Sequence, residues 1–172
     1  GQEGSPEVCG EGIYRTGGPE LRTGVLCTAV DPAPAVVIER DIAVAECDPE
    51  MMLDITVRID SSLAPGVMTA LGLEEILPPG MIFDSVVSVP PPGIVPSPGA
   101  TGTVGFAWIG VPSFPYELTY RVAVVGDLTG AEICGQGLYR TGGPELRTAL
   151  VCTPIPDLEC PESWLIRTVG VP

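Results

Sequence analysis

The chain has 172 residues, 45% of them hydrophobic, with 22 glycines, 20 prolines, and 22 acidic residues against eight arginines, a formal charge of −14. That balance excludes a nucleic-acid surface and argues against binding to anionic lipid, since both need a basic face. Abundant turn formers between short valine- and isoleucine-rich runs indicate many strands rather than disorder.

Self-similarity is the dominant signal. Cys9 to Thr28 (CGEGIYRTGGPELRTGVLCT) recurs as Cys134 to Thr153 (CGQGLYRTGGPELRTALVCT), identical at fifteen of twenty positions with an offset of 125. A weaker echo follows in nearly the same register, Val37 to Val44 (VIERDIAV) against Trp164 to Val171 (WLIRTVGV). Residues 1–28 therefore read as the closing hairpin of one unit, 29–153 as a complete unit, and 154–172 as the opening strand of a third. Such a chain is either a slice of a tandem array or a subunit whose overhangs dock on its neighbours.

In chain order, the first element is the hairpin of the N-terminal overhang. Its YRTGGPELR turn has two glycines that tolerate positive φ, a proline that fixes the next φ, and β-formers on both arms. A turn centred on Gly18 sets Cys9 opposite Cys27, and one on Gly143 sets Cys134 opposite Cys152. Facing residues of a non-hydrogen-bonded pair are close enough for a disulfide, so both bridges are expected. Cys47 and Cys160 then remain, to pair within the chain or between subunits. Six cysteines without histidine or a CxxC pair point to disulfides and an oxidising, extracellular or cell-surface location. The polar start of the chain carries no signal peptide, so a processed form is expected.

Within the complete unit, strands are expected at 36–45, at Leu53 to Asp60 (LDITVRID, alternating with period two), at 68–76 and at 81–88. The proline-rich stretch 89–99 (VPPPGIVPSPG) cannot donate to a ladder and belongs outside the core or along an edge. Further strands follow at Val104 to Trp108, Tyr116 to Val122, 131–140 and 146–152. Seven or eight strands at this spacing predict an all-β, antiparallel sandwich with an extra N-terminal hairpin and a C-terminal strand. Arg140, Glu145 and Arg147, like Arg15, Glu20 and Arg22, read as cross-strand charge pairs on a solvated face; Tyr14 and Tyr139 read as sheet packing.

The run from Leu53 to Thr153, with its opening LDITVRID, the mid-domain LPPGMIFDSV, the WIGVPSFPYELTYRVAV strand pair and a closing hairpin, resembles the Ig-like conserved-repeat domain found in tandem in bacterial cell-surface proteins. The resemblance implies a β-sandwich with a structural or adhesive role and no catalytic residues. The chain departs from that family in lacking asparagine and in its cysteine-closed hairpin.

No enzyme is expected. Without histidine there is no Ser-His-Asp or Cys-His system, and neither a GxSxG elbow nor a phosphate-binding GxxxxGK[ST] loop is present. No metal or other cofactor is expected, the acids Asp48, Glu50 and Asp54 near one loop reading as solvated rather than as calcium ligands. The function expected is that of a structural subunit of an extracellular fibre or surface assembly, whose partners are copies of itself and which neither binds nucleic acid nor inserts in a membrane. Subunits would polymerise head to tail through Trp164, Leu165, Ile166, Val169 and Val171 of the C-terminal strand and Ile13, Tyr14 and Leu21 of the N-terminal hairpin. The alternatives are an adhesin or carbohydrate-binding module using Trp108, Tyr116 or Trp164 as stacking platforms, and a passive spacer repeat.

Overall fold

The computed structural model of the chain describes residues 7–11, 13–15, 21–22, 24–29, 35–47 and 50–157. Contacts divide the chain into two compact units, Gly1–Ala35 and Val36–Pro172. No helix occurs among the described residues, hence none long and apolar enough to cross a membrane.

The first unit is the expected hairpin. Strand β1 (Glu7–Gly10) pairs antiparallel with β4 (Leu26–Ala29), and β2 (Ile13–Tyr14) with β3 (Leu21–Arg22).

The second unit is a two-sheet antiparallel sandwich. One sheet has the order β5 (Val36–Glu46), β6 (Met51–Ser61), β10 (Tyr116–Val124), β8 (Met81–Val86). The other runs from β11 (Glu132–Arg140) to β7 (Ala70–Ile76) to β9 (Thr103–Ala107), with β12 (Leu146–Arg147) and β13 (Val151–Pro154) both on the outer side of β11. Period-two patterning puts Leu53, Ile55, Val57 and Ile59 of β6 on the inner face, wholly buried opposite Leu71 and Leu73 of β7 and Val104 and Phe106 of β9. At the centre, Phe106 and Tyr120 lie with ring centroids 5.2 Å apart, and Phe83 meets Phe106 edge to face at 6.0 Å. Burying three such rings supplies much of the unit's apolar driving force.

Every strand expected within this unit is present, with shifted bounds, save that 146–152 is broken. Its two pieces obey different registers on β11. Cys134 faces Cys152 as a turn centred on Gly143 requires, but nearer the turn Leu138 faces Arg147 and Tyr139 faces Leu146, one residue out of step. The extra residue is a bulge around Thr148, whose backbone amide donates to the Gly137 carbonyl at 3.0 Å while its Oγ1 accepts from the Gly137 amide at 2.9 Å. Simple turn arithmetic misses a bulge because it assumes an unbroken ladder. The N-terminal hairpin shifts its register in the same way, Cys9 facing Cys27 and Ile13 facing Arg22. The two copies thus share their irregularity as well as their sequence.

Three of the sandwich's edges are closed by devices that discourage strand addition. The proline-rich stretch lies along β9 and makes one isolated bridge, Ile94 to Ala107, with N···O distances of 2.9 and 3.0 Å. Prolines on both sides of Ile94 prevent that bridge from extending. Beside β8, the Phe83 amide donates to the Ala100 carbonyl and its carbonyl accepts from Gly99, both at 2.8 Å. Among the described residues, β11 is flanked on its outer side by the short β12 and β13. The remaining edge, β5, is eleven residues long and presents Val37, Glu39, Asp41 and Ala43 outward.

Candidate functional site: the closing hairpin and the buried arginine beneath it

The closing hairpin is built from β11, β12 and β13. Gly142, with φ of +85°, occupies the left-handed conformation its turn requires. Disulfides join Cys134 to Cys152 and Cys9 to Cys27, with Cα atoms 4.0 Å apart in each. Cys47 is also held in a disulfide; Cys160 lies outside the described residues. Around the turn the charges pair as read from the sequence, on an exposed face. Arg147 binds Glu145 and Glu74 at 3.1 Å each, and Arg140 lies 3.9 Å from Glu145. Exposed pairs of this kind contribute at most about 1 kcal/mol.

Beneath the hairpin lies a polar cluster that the sequence reading did not single out. Arg40, on the inner row of β5, is forked onto Glu75 of β7, with Nε to Oε2 at 2.9 Å and Nη2 to Oε1 at 2.7 Å; both side chains are fully buried. The Arg40 Nη1 continues to the closing hairpin, donating to Thr153 Oγ1 at 2.9 Å and to the carbonyls of Ile133 and Val151 at 3.3 Å. Tyr120 of β10 donates its hydroxyl to Glu75 Oε2 at 3.0 Å. One arginine thus ties the opening strand of the unit to its third strand and to both arms of its closing hairpin. Burial pushes the Glu75 carboxyl above its ordinary range, against the pull of Arg40 and the Tyr120 hydroxyl. Burial, reinforced by the neighbouring carboxylate, raises the Tyr120 hydroxyl further.

Glycines of β11 make the room. A Cβ built at Gly135 would collide with the Glu75 carboxylate and lie 2.7 Å from Arg40 Nη2. At Gly137 it would lie 3.2 Å from Ile38 and Thr148 side-chain carbons. The signal for this cluster was in the sequence: Arg40 falls on the row of Val36, Ile38 and Ile42, and Glu75 on that of Leu71, Leu73 and Leu77. Opposite charges on two inward rows mark a buried pair.

The assembly residues Trp164, Leu165, Ile166, Val169 and Val171 lie outside the described residues. Tyr14 pairs with Leu21, and Ile13 with Arg22; the Ile13 side chain is 57% exposed. Trp108 and Tyr116 are half-buried and pack edge to face at 5.4 Å, and the Tyr116 hydroxyl donates to the Pro90 carbonyl at 3.2 Å. An exposed flat stacking platform would look different. Of the acids near one loop, Asp54 is occupied, accepting from Arg121 Nε at 2.7 Å and Nη2 at 3.1 Å. Glu50 is exposed, and Asp48 lies outside the described residues. Glu132 lies near Cys134 and Cys152, but sulfurs joined in a disulfide are not thiolate ligands.

Compared with known protein families and with curated proteins, the sequence matches none.

Proposed function

We propose that this chain is a structural protein of an extracellular or cell-surface assembly, built from Ig-like repeats joined head to tail through the elements at its two ends. One observation carries the reading: residues 7–29 reproduce the closing hairpin of the sandwich, in sequence, disulfide and bulged register, in a compact unit of their own. A hairpin that closes a sandwich at one place and is repeated outside it is a connector, and its natural partner is a neighbouring repeat. Contacts of that heterologous kind propagate instead of closing on themselves. The disulfides suit an oxidising environment, and the acidity keeps an apolar-rich chain soluble before it meets its partner. Three protected edges and a buried ion pair fit a load-carrying unit better than a ligand-binding one. Sedimentation velocity across a concentration series tests this. Concentration-dependent species longer than one chain are expected, and a single monomeric boundary at every concentration would contradict head-to-tail joining.

A further inference from the structure

A glycine inside a strand weakens it, because it adds flexibility and packs nothing. In β11 the cost has a visible return: Gly135 leaves the space filled by Glu75 and Arg40, and Gly137 the space beside Ile38. The N-terminal hairpin keeps both glycines, as Gly10 and Gly12, and Thr28 where Thr153 receives Arg40. Yet a Cβ at Gly10 would meet nothing within 4 Å, and Ile13 is exposed where its counterpart Leu138 is half-buried against β7. The hairpin therefore repeats the glycines that make room for the ion pair, and at Gly10 that room is open. The other end of the chain carries the converse. In the alignment of Val37–Val44 with Trp164–Val171, Arg167 stands at the position of Arg40.

We propose that the N-terminal hairpin is the closing element of a second sandwich of this kind, and that its partner is a neighbouring repeat presenting an arginine from its first strand and a glutamate from its third beneath Gly10. The inference rests on the structural-repeat reading and supplies the chemistry of the joint. The partner is recognised by strand pairing along β1 and β2, as β7 pairs with β11, and by the arginine's hydrogen bonds at the positions of Val8, Leu26 and Thr28, the counterparts of Ile133, Val151 and Thr153. A branched side chain such as valine at position 10 blocks it. Arg167 is the matching arginine for a sandwich on the other side.

The test extends the full chain by placing a second copy of residues 36–133, its Cys47 replaced by serine, directly ahead of Cys9. The added strands then have only the N-terminal hairpin to close them. Calorimetry should show an unfolding enthalpy close to twice that of the original chain; Gly10→Val should return it to the original value, and Arg40→Met in the added copy should lower the Tm of the added sandwich by about 10–20 °C, as in the native one. An enthalpy unchanged by the extension, or one insensitive to Gly10→Val, overturns the proposal. A second variant needs no added copy. Gln136→Glu, Leu138→Ile, Ala149→Gly, Leu150→Val and Val151→Leu together convert the native closing hairpin into the N-terminal sequence. It should still close the sandwich, with a Tm loss of a few degrees from setting a glutamate against Glu74, where Gln136 now donates at 2.8 Å, and Glu74→Gln should reverse that loss. Loss of cooperative unfolding in this variant also overturns the proposal. Neither failure touches head-to-tail joining itself, which the sedimentation experiment decides separately.

Discussion

Replacing Arg40 by methionine removes the guanidinium while keeping most of the side chain's volume. It leaves the Glu75 carboxylate buried with a single donor, the Tyr120 hydroxyl, and strips Thr153 and two hairpin carbonyls of theirs. Breaking a fully buried pair from one side costs about 3–5 kcal/mol, and for a unit of this size that lowers Tm by about 10–20 °C. Glu75→Leu should cost a similar amount, since it strands a buried guanidinium. The two losses should not add. With both charges gone, the remaining defect is an unpaired Tyr120 hydroxyl, worth about 1–3 kcal/mol, and Arg40→Met/Glu75→Leu/Tyr120→Phe should recover to within about 2 kcal/mol of the parent. Chemical denaturation of the parent, the two single variants, the double and the triple, monitored by tyrosine and tryptophan fluorescence, measures the coupling. Single losses below about 1 kcal/mol, or losses that simply sum, would refute the view that this cluster acts as one latch.

Gly135→Ala should destabilise the sandwich by about 1–3 kcal/mol through overpacking against Glu75, whereas Gly10→Ala should leave its unfolding midpoint unchanged. Opening the Cys134–Cys152 bridge by a double Cys→Ala change releases a loop with a sequence separation of 18, and the chain-entropy model gives a loss of about 3 kcal/mol, readable as a lower denaturant midpoint. Tyr120 supplies a pH dependence. Its folded pKa lies well above the ordinary 10.0, so above pH 10 the native state holds a proton that the unfolded chain releases. Stability from this group is full below that pH and falls as pH rises past it, and Tyr120→Phe should flatten that part of a Tm-against-pH curve. By contrast, Arg121→Ala should cost at most about 1 kcal/mol, because its ion pairs with Asp54 and Glu46 are partly exposed.

The strands were legible because one face of each is buried: LDITVRID and YELTYRV alternate so cleanly that the inner residues of β6 and β10 could be named from the sequence. Both bridged cysteine pairs were legible for a similar reason, since a symmetric turn fixes which residues face each other. Three features were not. The bulge at Thr148 depends on a side chain replacing a ladder partner, which strand periodicity does not reveal. The proline-rich stretch could be placed outside the core, but its bridge to Ala107 depends on tertiary placement. Arg40 and Glu75 lie 35 residues apart, and charged residues are by default assigned to solvent, so the pair appears only when both strands' inward rows are compared. Gly135 and Gly137 lie on an arm of the hairpin and not in its turn, and their packing role emerges only with the arginine beside them.

The central claim is that repeats of this kind join end to end, and electron microscopy of the purified chain, with and without reductant, tests it most directly. Linear chains of evenly spaced globules, shortened when reduction opens the hairpin disulfides, are the predicted result. Isolated globules in both conditions, with ends that proteases remove without changing particle length, would contradict it.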